Sequence, residues 1–116
     1  MDHGNTFLEL LPVGCLIEGA WSTNKVKVDG QELDLRRSLK VLSKSPTGFN
    51  WGYGGAGPSQ FAFALLYKYL PADIALEYYQ DLKFSYIGGL PQSDFTVIAN
   101  LREIVQKIID KRKIKE

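Results

Sequence analysis

The chain has 116 residues, 45% of them hydrophobic, with six Phe, six Tyr and two Trp, a size and composition for one folded domain and against disorder. Its 14 basic and 13 acidic residues leave a net charge of +1, so no global field favours nucleic acid or an acidic partner. A single cysteine, Cys15, excludes an intramolecular disulfide and a cysteine-based zinc site, and its neighbours Val13, Leu16 and Ile17 mark it as a buried thiol rather than a nucleophile.

No stretch is a membrane span: the longest apolar run, Phe61–Tyr67, is far short of the roughly 20 residues required. The N-terminal residues lack a basic region, and Leu8–Ile17 is broken by Glu9, Pro12 and Gly14, so no signal peptide is expected and the expected location is the cytoplasm.

In chain order, residues 1–14 read as an N-terminal extension, with a short helix or strand before Pro12. Residues 15–45 read as strands. Lys25–Val28 alternates polar and apolar and ends in the turn pair Asp29-Gly30, which predicts a hairpin with Gln31–Leu35 as the return strand and Leu33 and Leu35 on one face. Ser38–Leu42 supplies a further strand. Residues 46–57 are a glycine- and aromatic-rich loop, and residues 58–112 are helical. Pro58 suits the first turn of a helix, which makes Gly57 its N-cap. The run Phe61–Leu70 is apolar on nearly every side, the mark of a central buried helix and the most buried element of the chain. After Pro71, Ala72–Ile87 carries Ile74, Ala75, Tyr78, Leu82 and Tyr86 at helical spacing, and Gly88-Gly89 and Pro91 end it. Ser93 or Thr96 caps a third helix whose stripe runs from Val97 and Ile98 through Leu101, Ile104, Val105, Ile108 and Ile109, followed by a solvated, frayed tail Lys111–Glu116. The expected fold is α+β: a small N-terminal antiparallel sheet, the loop, then three C-terminal helices.

Catalytic constellations are scarce. His3 is the only histidine and lies in a terminal segment, so a Ser-His-Asp or Cys-His arrangement is not expected. Asp2 and His3 alone do not make a metal site. Asp73, Glu77 and Asp81 share a helix face at spacing four and read as solvated charge. The expectation is no enzyme and no cofactor.

The loop PTGFNWGYGGAGPSQF, residues 46–61, carries most of the functional signal. It lacks the lysine and hydroxyl residue of a P-loop, and the letters GYGGAG stand outside the strand–loop–helix setting of a dinucleotide fold. One reading is purely structural, with glycines allowing tight packing and Trp51 and Tyr53 plugging the core. The other is an anion cradle: Gly54, Gly55 and Gly57 offer backbone N–H groups at a helix start, within reach of Ser59 and Gln60. In that reading Trp51 or Tyr53 stacks on a planar base and Asn50 or Gln60 hydrogen-bonds. Arg36, Arg37, Lys40 and Lys44 supply charge from a segment without acids between Asp34 and Asp73.

Residues 45–66, SPTGFNWGYGGAGPSQFAFALL, resemble the hallmark S-P-x-G-F-x-W-G-Y-G-G-S-G-P-A-Q-L-A-L-A-L-L of a small family of proteins of unknown function found in phages, plasmids and prokaryotic genomes. The match holds at Ser45, Pro46, Gly48, Phe49, Trp51 to Gly55, Gly57, Pro58 and Gln60. It departs at Ala56, Ser59, Phe61 and Phe63, and the resemblance spans about residues 16–109. It implies a mobile-element setting and supplies no catalytic residues.

Two functions are therefore expected. The first is a small binding protein that binds or sequesters a phosphate-bearing molecule such as a signalling nucleotide, in counter-defence and in the host-cell cytoplasm. The alternative is a protein-interaction or inhibitor module with no small ligand. Membrane and nucleic-acid partners are not expected. The aromatic content points to a homo-oligomer built on the helix Val97–Ile109 or on the aromatic loop.

Overall fold

The computed structural model describes residues 3–115; expectations for Met1, Asp2 and the His3 side chain lie outside the described residues. A 3₁₀ segment, His3–Leu10, leads into strand β1, Cys15–Ala20. On β1, Cys15, Ile17 and Gly19 are buried while Leu16, Glu18 and Ala20 are half-exposed, the alternation of a sheet covered on one face. Strand β2, Lys25–Val28, pairs antiparallel with β1 and turns through Asp29-Gly30 into the two-residue strand β3, Gln31–Glu32. Asp29 and Gly30 both have positive φ, 51° and 83°, the turn whose twist matches a hairpin.

The predicted return strand stops early. Asp34 accepts from the amide of Arg37 at 3.0 Å and caps helix α1, Leu35–Leu39, so neither Leu35 nor Ser38–Leu42 lies in a strand. An aspartate between the buried Leu33 and the buried Ser38 satisfies a helix start that a strand would not use.

Helix α2, Ala56–Tyr67, is the buried centre. Every residue from Gly57 to Leu66 is buried, which agrees with the absence of a polar face in the sequence. The helix begins two residues before the predicted start: Gly55 is the N-cap and Pro58 the third helical residue. Proline is tolerated there because the opening amides of a helix have no intrahelical acceptor. Helix α3, Ala72–Ser85, follows Pro71 and ends in a 3₁₀ turn at Ile87–Gly89.

The largest departure lies at residues 95–99. The predicted third helix does not begin at Ser93 or Thr96; Phe95–Ala99 forms strand β4, antiparallel to β1. Helix α4, Leu101–Lys115, starts after it, where Asn100 Oδ1 accepts from the amide of Glu103 at 2.9 Å. The sheet order is β3-β2-β1-β4, so one edge strand comes from the C-terminal half of the chain. The β-branched run Thr96-Val97-Ile98 fits a pleated surface as well as a helical stripe, and pairing with β1 decides between them. The C-terminal residues are helical through Lys115 rather than a frayed tail. Arg112 is held by Asp81 and Glu77 at 2.7 and 3.2 Å and lies 4.3 Å over the ring of Tyr78, so two of the three α3 carboxylates are engaged. Among the described residues no helix is long and apolar enough to cross a membrane.

The core is aromatic at its centre. Trp51 packs edge-to-face on Phe95, Trp21 and Phe61 with centroids 5.0, 5.5 and 6.0 Å apart, arrangements favoured by ring quadrupoles. The stripe Leu101, Val105, Ile108 and Ile109 of α4 is buried within the chain, as are Phe49 and Trp51. Both segments expected to carry self-association thus give residues to the chain's own core, while Tyr53 of the loop and Ile98 remain exposed.

Candidate functional site

The loop between α1 and α2 is built as a fitted plug. Ser45 Oγ donates to the carbonyl of Gly48 at 2.7 Å, closing the turn at Pro46-Thr47. Asn24, with φ of 58° at the end of the β1–β2 turn, exchanges bonds with Phe49: its amide side chain donates to the Phe49 carbonyl and its carbonyl accepts the Phe49 amide, both at 3.0 Å. Trp51 is fully buried, and its Nε1 donates to the carbonyl of Ser93 at 2.9 Å. Stacking of a ligand base on Trp51 is thus ruled out by position; the indole serves the core.

Gln60 is also structural. Its side-chain oxygen accepts the amides of Lys44 and Ser45 at 2.8 and 3.1 Å. Its nitrogen donates to Ser38 Oγ and the Leu42 carbonyl at 2.9 and 2.8 Å. All four hydrogen-bonding capacities of the side-chain amide are used, so Gln60 has none left for a ligand. Ser59 is buried, with Oγ on the Gly55 carbonyl at 3.0 Å. Arg37 turns away from the loop, donating to the Tyr67 carbonyl at 2.9 Å and stacking 3.7 Å over the Tyr67 ring. Lys40 and Lys44 are exposed and line none of the grooves described below.

Of the other expected site residues, Asn50, Tyr53 and Gly57 come together, whereas Gly54 and Gly55 are not on the groove wall. A polar groove of about 340 Å³ opens at the N-terminus of α2, walled by Asn24, Ser45, Thr47, Asn50, Tyr53 and Gly57. The amides of Gly54, Gly55, Ala56 and Gly57 donate to no group of the described residues; the first bonded amide is that of Ser59, on the Gly55 carbonyl at 3.1 Å. Tyr53, 42% exposed, lies across the helix start. A Cβ on Gly57 would stand 2.5 Å from Asn50 Cβ and 3.3 Å from the Tyr53 hydroxyl, and one on Gly55 would stand 2.5 Å from the Tyr53 ring. Glycine at these positions lets Asn50 and Tyr53 close over the first turn.

This groove continues past Asn24, Thr47 and Gly48 into a larger one of about 580 Å³ between the β2–β3 hairpin and the start of α1, where Arg36, Asp34, Glu32 and Lys25 carry the charge. Lys25 is paired with Glu32 at 3.5 Å. Of the four cations expected at the site, Arg36 alone lines the groove system. Asn24, Ser45 and Thr47 were not foreseen as lining residues. Asn24 lies some 25 residues before the loop it clasps, and only its aptitude for the left-handed region marked it.

Other reactive groups are withdrawn. Burial pushes the Cys15 thiol above its ordinary value, so it stays protonated and a poor nucleophile. Among the described residues no three His, Cys, Asp or Glu side chains group as metal ligands.

Residues 18–111 match the family of unknown function DUF6166, and the chain belongs to that family. No curated protein and no solved structure matches it.

Proposed function

We propose that this protein is a small non-enzymatic binding protein that takes a phosphate-bearing small molecule, such as a signalling nucleotide, into the groove at the start of α2. The observation that carries this reading is the set of unpaired amides from Gly54 to Gly57, of which Ala56 and Gly57 belong to the wall of the polar groove. Backbone N–H groups and the positive end of a 12-residue helix suit an anion. Asn24, Thr47, Asn50 and the Tyr53 hydroxyl supply neutral hydrogen-bonding partners, and Arg36 at the adjoining wall supplies charge. Tyr53 replaces Trp51 as the aromatic face available to a base. The groove at α2 has no ionisable acid or base other than the Tyr53 phenol on its wall, which supports binding rather than turnover. The mobile-element setting implied by the sequence resemblance fits a role in counter-defence, with the ligand sequestered rather than consumed.

The test is a thermal-shift screen with nucleotides, cyclic nucleotides and inorganic phosphate. A ligand at about a hundred times its dissociation constant adds roughly 2.7 kcal/mol of stability. Thr47→Glu sets a carboxylate on an exposed groove wall and should remove that shift while leaving unliganded melting unchanged. No shift with any of these anions, or a shift that survives Thr47→Glu, overturns the proposal.

The alternative, an interaction module, draws on Phe84, which is 70% exposed on α3 beside Gly54. It predicts that Phe84→Ser leaves stability intact and abolishes partner binding, with no response to nucleotides.

A further inference from the structure

The two edges of the sheet are unlike each other. β3 is two residues long, both exposed, and its Glu32 is paired with Lys25, the short charged edge that discourages further pairing. β4 is five residues, Phe95–Ala99, with no charge and no proline. It is the terminal strand, and among the described residues nothing pairs with its outer side. Ile98, next to its central residue Val97, is 80% exposed.

The register shows which groups the outer side presents. Leu16 accepts from the Asp29 amide and donates to the Asp29 side chain, so the backbone groups of Leu16 and Glu18 face β2. Those of Cys15, Ile17 and Gly19 then face β4, opposite Ala99, Val97 and Phe95. Alternation leaves the N–H and C=O of Thr96 and Ile98 pointing outward.

We propose that β4 pairs with β4 of a second copy of this chain, antiparallel about a two-fold axis at Val97. In that register Thr96 stands opposite Ile98 of the second copy and Ile98 opposite Thr96, so each copy's outward donors meet the other's acceptors. The side chains match as well. On the outer face, Glu18 is the cross-strand neighbour of Thr96, and Leu16 of Ile98. Self-pairing continues each row as Glu18, Thr96, then Ile98 and Leu16 of the second copy, with no like charges opposed. An unrelated strand has no such guarantee of register or charge; a second copy has both by symmetry.

Light scattering across a dilution series, together with amide hydrogen exchange, tests this. The expected result is twice the 13.0 kDa chain mass at high micromolar concentration, with the Thr96 and Ile98 amides protected only in the concentrated sample. Ile98→Lys should return the particle to the single-chain mass. Ile98→Pro should do the same, since the N–H it removes serves no bond within the chain. Circular dichroism melts identify the folded variants. A wild-type chain that stays at 13.0 kDa, a folded variant that remains dimeric, or exchange at Thr96 and Ile98 that ignores concentration overturns the pairing.

Discussion

Gln60 and Ser38, 22 positions apart, meet inside the protein, where Gln60 Nε2 donates to Ser38 Oγ at 2.9 Å. That bond is one of four by which a single amide on α2 holds α1 and the start of the loop. Gln60→Leu fills similar space but leaves the amides of Lys44 and Ser45 without an acceptor. The expected loss is about 2–4 kcal/mol, read from urea unfolding. Gln60→Glu adds a pH signature. The new carboxyl is buried and faces the Leu42 carbonyl, so its folded-state pKa is raised. Its stabilising form is the protonated one, present at low pH and lost as pH rises above the ordinary carboxylate range. Stability of this variant should therefore climb towards wild type on acidification.

Gly19 sits at a tight point of the core. A Cβ there would stand 2.1 Å from the Phe95 ring and 2.8 Å from Trp51, and Trp51 is already locked to Ser93. Gly19→Ala should cost roughly 1–3 kcal/mol through overpacking. The measurement is the urea midpoint at unchanged slope. A neutral result would mean that the Trp51–Phe95 contact is looser than its 5.0 Å centroid distance implies.

At alkaline pH the interior should give way before the surface. Burial pushes the Tyr69 phenol up to about 12 and raises the Cys15 thiol. Groups raised in the folded state lend stability that is complete below their unfolded pKa values and vanishes as pH climbs through the folded ones. Stability should hold up to the ordinary thiol range and fall from there to about 12. Chemical denaturation at stepped pH reads this, and thiol labelling of Cys15 should be negligible at neutral pH until the protein unfolds.

Arg112 clasps α4 to α3 through Asp81, Glu77 and the face of Tyr78. Its side chain remains 39% exposed, so solvent screens the pair. Arg112→Met should cost only about 1 kcal/mol, and the difference should narrow in high salt. A larger loss that salt does not touch would point to the contact with Tyr78 rather than to the charges.

Local pattern determined a good part of this protein. Asp29-Gly30 specified its hairpin turn because few residues accept two successive positive φ angles. The unbroken apolar surface of Phe61–Leu66 could only be a buried helix, and Pro71 had to separate α2 from α3. Cys15 among aliphatic neighbours had to be interior. Other outcomes depended on partners distant in the chain. Thr96-Val97-Ile98 satisfies helical and strand patterns alike, and becomes a strand because β1 offers its open edge 80 residues earlier in sequence, Leu16 facing Ile98 and Glu18 facing Thr96. Whether Trp51 would be a ligand platform or a core residue was undecidable locally: the answer is the carbonyl of Ser93 and the ring of Phe95, neither nearby in sequence. The same holds for Gln60, whose amide had no visible partners until α1 folded against α2. Turns and buried helices are written in neighbouring residues because their constraints are local dihedrals and a single face. The groove at α2, bounded by Asn24 on one side and Tyr53 on the other, is a product of long-range packing, and only the tertiary structure assembles it.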